Sequence, residues 1–350
     1  MKKMNFSALG VVIVSGAMVL SACGGSSSST EATSAPVESA AAPAESAAAP
    51  AEEMVIGVSF DKMIAFREGE KAAIEAAAKE LGVTLDFQVA EEDAQRQSSQ
   101  IEAMIANGAK GIVSIPWDIE AVKADIDAAG AAGVPFVTFD QAPSDPSWVS
   151  FHVGGDPYAD GAAAGKFYCE TAGGKDFTLL EFQGGLNNDN GINRSKGLND
   201  VIAKDCPNVK IVAQIPTEWK PEPALAGTEN TLAKYPALDG IYSPTDGLLP
   251  AIFSALDKVG RNVKVGEDGH VVIVSIDGDS GACKALREGL IDLDLVTPLP
   301  QMTKDALAAA VDQANGKAAP SPALKKIAGL EVTPANLAEN EASVWGCSGA

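Results

Sequence analysis

"GIVSIPWDIEAVKADIDAAGAAGVPFVTFD", residues 111–140, holds two periodicities in a row. "GIVSIPW" is short, apolar and rich in β-branched residues, and "PFVTFD" repeats that character. Between them "IEAVKADIDAAGAAG" is built from helix formers and ends at Gly133, a helix-stop signal. A strand, a helix and a strand in so few residues form a βαβ unit, which makes the two strands parallel.

The alternation continues outward. "MVIGVSF" (54–60) reads as a strand and "FREGEKAAIEAAAKELG" (66–82) as a helix with Gly82 at its C-cap. "VTLDFQVA" is strand-like, and "AQRQSSQIEAMIANG" is a helix ending at Gly108. After "WVSFHVGG" the pattern restarts. Strands "FTLLEFQG", "VKIVAQIP", "LDGIYSP" and "HVVIVSID" alternate with helices near 157–172, 191–204, 221–235, 246–259 and 280–289. "LDLVTPLP" then leads into the helix "QMTKDALAAAVDQANG". Two β/α series in about 300 residues predict an α/β fold of two doubly wound, Rossmann-like domains.

The chain's start has a different composition. "MKKMNFSALGVVIVSGAMVLSAC" places Lys2 and Lys3 before an apolar run, Ala8 to Leu20, that meets small residues. This reads as an export signal over residues 1–22 rather than a membrane span. "LSAC", Leu20 to Cys23, resembles the lipobox of bacterial lipoproteins, which implies cleavage before Cys23 and diacylation of its thiol. Residues 24–53 are Ala, Ser, Pro and Glu with Val37 as the one large apolar residue. Such a segment cannot bury enough surface to offset chain entropy, so 23–53 reads as a lipidated Cys and a disordered tether.

The formal charge of −21 argues against direct binding to nucleic acid or anionic lipid. With Cys23 lipidated, Cys169, Cys206, Cys283 and Cys347 remain. An even number in an exported chain predicts disulfides, with three connectivities open. Cys169–Cys206 with Cys283–Cys347 is favoured, because the first pair brackets one helix–strand–helix unit. His152 and His270 are the only histidines and no Cys-x-x-Cys occurs, so no metal is expected.

In doubly wound sheets, ligands bind beyond the carboxyl ends of the strands. That rule selects Phe60 and Asp61, Trp117 and Asp118, Asp140 and Gln141, Gln183 to Asn190, Glu218 and Trp219, Thr245 and Asp246, and Ser275 to Asp279. Carboxylates and amides pair with hydroxyls, and flat rings cover C–H faces, so the mixture suits a neutral polyhydroxylated ligand.

Enzyme readings fail on context. "SIDGDSGAC", Ser275 to Cys283, contains Gly-Asp-Ser-Gly, the tetrapeptide around the nucleophile of chymotrypsin-like proteases. A nucleophilic Ser280 would need an all-β barrel and a His–Asp pair earlier in the chain, which the β/α alternation contradicts. Asp277 is the better ligand contact, Gly278 supplies the turn, and Asp279 or Ser280 caps the next helix. No Gly-x-Gly-x-x-Gly follows the first strand and no phosphate loop occurs, so no cofactor is expected. Gly184–Gly185 reads as a tight turn.

The residues from Met54 to about Lys317 resemble the periplasmic sugar-binding proteins of ABC transporters, ribose and xylose type. "QSSQIEAMIANGAKGIVSIPWD", "GVPFVTFDQ", "NRSKGL", "EWKPEPAL", "YSPTDGLLPAIFSAL" and "VIVSIDGDSGACKALREG" carry the likeness in order and spacing. The resemblance implies a type I periplasmic binding fold whose two domains are joined by three hinge strands. These fall near His152–Gly155, Thr297–Leu299 and Lys326–Glu331. The lobes would be 54–153 plus 299–326 and 154–298 plus 327–350. It further implies that Asp140 and Asp277 accept from sugar hydroxyls and that Arg194 donates. Trp219 and Phe66 would stack on the ring, and Trp117 would roof the cleft. Asn190, Asn188, Gln183 and Lys62 are weaker candidates, and Asp246 either caps a helix or touches ligand. Three departures stand out: Gln141 where relatives carry Arg, Thr245 where they carry Asn, and Pro298 at a hinge position. Losing that Arg removes a five-donor fork.

The expected function is capture of a monosaccharide and delivery to an ABC permease, without catalysis. The protein would be a monomer held by its lipid on the outer face of the cell membrane or in the periplasm. Alternatives are a nucleoside, a polyol or an autoinducer-2-like ligand on the same fold, or a sensory receptor.

Overall fold

The computed structural model describes residues 53–348. The export signal, Cys23 and the tether to residue 52 lie outside the described residues. In the first β/α series, β1 (Val55–Phe60), β2 (Thr84–Val89), β3 (Gly111–Ser114), β4 (Phe136–Phe139) and β5 (Phe151–Gly155) alternate with α1 (Ala65–Leu81), α2 (Ala94–Ala106) and α3 (Val122–Ala131). In the second, α4 (Pro157–Ala172), β6 (Phe177–Gln183), α5 (Asp189–Asp205), β7 (Val209–Pro216), α6 (Pro221–Lys234), β8 (Gly240–Tyr242), α7 (Leu249–Lys258), β9 (Val272–Asp277), α8 (Ser280–Glu288) and β10 (Leu293–Val296) follow. The chain closes with α9 (Leu299–Ala314), β11 (Leu324–Ile327), β12 (Leu330–Val332) and α10 (Leu337–Asn340).

The strands form two six-stranded sheets, ordered β11-β5-β4-β3-β1-β2 and β12-β10-β9-β8-β6-β7. Pairing is parallel throughout except for β12, which runs antiparallel to β10. Helices cover both faces of each sheet, so the strands are apolar in both directions. Ile56, Val58 and Phe60 pack with Met302 and Ala306 of α9, while Ile112 turns to Ile101 and Met104 of α2. In the second sheet Leu179 joins Tyr168 and Leu198, and its neighbour Leu180 joins Ile252 and Leu286. This alternation places two cores on each sheet.

Three crossings connect the sheets. β5 stays in the first sheet to Gly155, and after Asp156 helix α4 packs on the second. β10 belongs to the second sheet, and past Thr297–Pro298 helix α9 returns to the first. β11 pairs with β5 and β12 with β10, so Ala328–Gly329 is the third. Helix α9 begins at Leu299, two residues before the expected start, because Pro300 fits a first turn where its missing N–H costs nothing.

Cys169 bonds Cys206, and Cys283 bonds Cys347. The first ties the end of α4 to the end of α5. The second ties α8 to the C-terminal tail. The tail lies on the turn after β9: Gly346 N–H donates to Gly278 at 2.9 Å, and Trp345 Nε1 donates to the Asp277 carbonyl at 2.7 Å. Among the described residues no helix is long and apolar enough to cross a membrane.

Because the tail braces Asp277, we expect Cys347→Ser to cost about 2–4 kcal/mol in urea unfolding. A non-reduced peptide map of the wild type should show both bridged pairs; four free thiols there would contradict the structure.

Candidate ligand-binding site

One narrow pocket lies between the carboxyl edges of the two sheets. From the first sheet's side come Lys62, Ile64, Phe66, Arg67, Asp140 and Gln141; from the second come Asn190, Arg194, Trp219, Thr245 and Asp277. The structure thus brings together Asp140, Gln141, Asn190, Arg194, Trp219, Thr245, Asp277 and Phe66, all selected from sequence.

Three of these residues have a backbone that L-residues rarely adopt. Asp140 has φ 59°, Trp219 φ 63° and Asp277 φ 132°. Each follows or ends a strand and turns its side chain inward, away from the path the strand would take. Such positions cost on the order of 1–3 kcal/mol each and persist where the surroundings hold them. Trp219 is held by a close fit. A Cβ on Gly184 would lie 2.2 Å from its ring, and one on Gly185 would lie 2.8 Å from its Nε1. Neither glycine has positive φ. The Gly184–Gly185 pair is therefore space for an indole rather than the expected tight turn.

Arg67 was not selected from sequence and is the hub of the first lobe's half. It is 3% exposed. Its Nε donates to Asp61 Oδ1 at 2.7 Å, and its Nη1 reaches Glu70 Oε2 at 2.7 Å and Asp140 Oδ2 at 2.8 Å. Burial works against the charged guanidinium, yet Asp61, Glu70 and Asp140 hold its pKa well above the ordinary value. Burial pushes Glu70 well above the usual carboxyl range, with Arg67 opposing. Arg67 supplies the planar fork that Gln141 lacks, from a different element. Its signal in the sequence was an Arg on the turn entering the first helix, beside Phe66 and near a strand end. Gln141 completes this side, its Nε2 3.5 Å from Asp61 Oδ2.

Arg194 is the hub of the other half. Its Nη1 donates to the Pro244 carbonyl at 2.7 Å, and its Nη2 reaches Asp277 Oδ1 at 3.4 Å. Thr245 Oγ1 donates to Asp277 Oδ2 at 2.5 Å. Burial raises the Asp277 carboxyl to about 7 against the pull of Arg194 and Thr245. The halves meet where Asn190 Nδ2 donates to Asp140 Oδ1 at 3.0 Å. Trp345 packs edge-on against Phe66, with ring centroids 5.8 Å apart.

Asp246 and Trp117 stand outside the pocket lining. Asp246 accepts from Ser275 Oγ and from the N–H groups of Gly278 and Asp279, so its carboxylate is spent on shaping the turn after β9. Trp117 instead lies under the Lys62 ammonium, 5.0 Å from its ring centroid. Of the weaker candidates, Gln183 donates to Ser195 and Asn188 caps α5. Asp279 caps α8 through the Ala282 N–H. Ser280 begins that helix, on a fold with no β-barrel.

Several buried polar atoms at the pocket have no hydrogen-bond partner among the described residues: Gln141 Oε1, Arg194 Nε, Trp219 Nε1 and Asp140 Oδ2, the last being in ion-pair contact with Arg67. Such atoms are costly when left unpaired, and ligand hydroxyls match them in both donor and acceptor sense.

Known proteins resemble this chain in sequence and fold. The family model described as periplasmic binding protein domain matches residues 56–318. The xylitol-binding protein of Mycolicibacterium smegmatis is 28% identical over 235 residues, 67% of this chain and 64% of that protein. The chain thus spans just under two thirds of that relative's length. The D-apiose import binding protein of Paraburkholderia graminis is 26% identical over 250 residues, 71% of this chain and 76% of its own. Among solved structures, the periplasmic binding component of the arabinose ABC transporter from Shewanella sp. ANA-3, bound to L-arabinofuranose, superposes with TM-score 0.75 at 25% identity. The match covers 83% of this chain and 95% of that one. The named relatives are binding proteins, not enzymes.

Two outcomes are expected. Arg67→Met leaves three buried carboxylates without their cation and should cost about 3–5 kcal/mol in urea unfolding. Asp277 has a folded pKa above its unfolded one, so its contribution to stability is complete below 3.8 and is lost as pH rises to about 7. Asp277→Asn should therefore flatten the fall in stability across that window, measured by denaturation at a series of pH values.

Proposed function

The chain belongs to the periplasmic binding protein domain family, and from that premise we propose that it captures a monosaccharide between two hinged lobes and delivers it to an ABC importer. The lobes are those built on the two sheets. One observation carries the reading: the pocket joins two aromatic faces, Phe66 and Trp219, to unpaired buried donors and acceptors from both sheets. Rings cover the C–H face of a small sugar, and the polar atoms pair with its hydroxyls.

The charges at the pocket alternate in sign. Lys62, Arg67 and Arg194 lie among Asp61, Asp140 and Asp277. A balanced field favours a neutral ligand over a carboxylate or an amine. A polyol is the second reading, supported by the similarity to a xylitol-binding protein. The "LSAC" stretch ending at Cys23 supports a lipid anchor, with the protein working as a monomer at the outer face of the membrane.

Calorimetric titration against D-ribose, D-xylose, L-arabinose, D-apiose and xylitol tests the assignment. At least one should bind and, at a hundredfold excess over its Kd, should stabilise the fold by about 2.7 kcal/mol. Silence across the panel sinks the sugar and polyol readings. Mass spectrometry of the membrane-extracted protein should show a diacylglyceryl mass on Cys23.

A further inference from the structure

Asp160 lies in the first turn of α4, outside the pocket, and is 1% exposed. Its Oδ1 accepts the Gly329 N–H at 2.8 Å, in the third crossing. Its Oδ2 has no hydrogen-bond partner among the described residues. A Cβ built on Gly155 would lie 3.7 Å from Oδ2, so this oxygen faces the first crossing. A Cβ on Gly329 would lie 3.1 Å from Oδ1 and 3.2 Å from the backbone of Leu295, on the strand entering the second crossing. One carboxylate thus sits between the first and third crossings, and β10 packs against the third.

The same carboxylate acts electrostatically on Arg194, a pocket residue. Burial raises it to about 6, Arg194 and the Gly329 N–H pull it down, and Asp156 pushes it up. Tyr242, whose hydroxyl has no hydrogen-bond partner, also feels its charge. Arg194 lines the pocket from α5. Helices α4 and α5 pack backbone to backbone. A Cβ on Gly161 would lie 1.9 Å from the Arg194 carbonyl oxygen, and one on Gly197 would lie 2.1 Å from that of Tyr158. Contacts this close permit little sliding, so α5, with Asn190 and Arg194, moves with α4.

We propose that Asp160 is the positioning residue that couples ligand capture to the hinge. It pins α4 to the third crossing through Gly329, and its charge acts on Arg194, whose helix α5 moves with α4. Ordering Arg194 on a ligand then orders the crossing, and a displaced crossing displaces Arg194. The coupling rests on the capture reading; the pin does not.

The test combines hydrogen exchange with calorimetry on the full chain, using xylitol and L-arabinose as probes. Without ligand, Asp160→Ala should speed backbone exchange over 328–330 by about tenfold or more, with the β6 and β9 amides unchanged. Asp160→Asn keeps the acceptor for Gly329 and should exchange like the wild type. With a probe that binds the wild type, Asp160→Asn should bind about 5- to 150-fold more weakly, the usual span of coupling between sites. It should also lose the ligand-induced protection of 328–330. A residue with only a structural role would shift the melting temperature and leave that protection intact. Wild-type affinity and protection in Asp160→Asn would overturn the coupling. Unchanged exchange in Asp160→Ala would overturn the pin. If the wild type binds neither probe nor any sugar of the panel, the capture reading fails, and the ligand-free exchange still decides the pin.

Discussion

The Arg67 guanidinium is out of water, and its environment must repay that. Asp61, Glu70 and Asp140 surround it, two of them at strand ends and one a turn further along its own helix. A buried ion network of this kind adds little net stability against an apolar alternative, but it cannot lose one member without leaving a charge exposed to a low-dielectric interior. Its consequence is geometric. With Arg67 fixed, Asp140 is fixed, and Asp140 is the acceptor that Asn190 reaches from the other side of the pocket. The polar surface presented to a ligand is therefore set before any ligand arrives, which lowers the ordering cost of binding.

The same logic explains the strained strand ends. Asp140, Trp219 and Asp277 each leave their strands in the left-handed region. In each case something close by prevents relaxation. Arg67 and Asn190 hold Asp140, and the Gly184–Gly185 shelf holds Trp219. The tail holds Asp277, through Trp345 and the bond between Cys283 and Cys347. Asp246 contributes from beneath by accepting two backbone N–H groups of the turn after β9. The Gly-Asp-Ser-Gly tetrapeptide is part of this turn: Gly278 takes φ 85°, Asp279 caps, and Ser280 begins a helix.

Much of this was legible in the chain. Parallel β/α alternation follows from two periodicities that the residues display locally, and it alone dictates that strand ends gather at one edge. Asp140, Trp219 and Asp277 could be selected because each follows an apolar strand. The cysteine pairing was favoured on the same local ground. Arg67 escaped because nothing local separates a buried Arg on a helix from a solvated one. Asp246 and Trp117 were selected by a rule that places a residue at an edge and does not say which way its side chain turns.

The sequence by itself determined the two β/α series, the even number of cysteines beyond Cys23 that two disulfides require and the set of strand ends from which a site could be built. These depend on short-range pattern, on turn chemistry and on the covalent count of cysteines. Only the tertiary structure decided which strand ends converge and which cation serves Asp140. It also decided that Gly184 and Gly185 make room for an indole, and that Asp160 stands against the chain crossings at Gly155 and Gly329. Those outcomes are set by close approach between segments far apart in the chain. A distance of 2.8 Å between Arg67 and Asp140 exists only after two strands and a helix have been packed on one core.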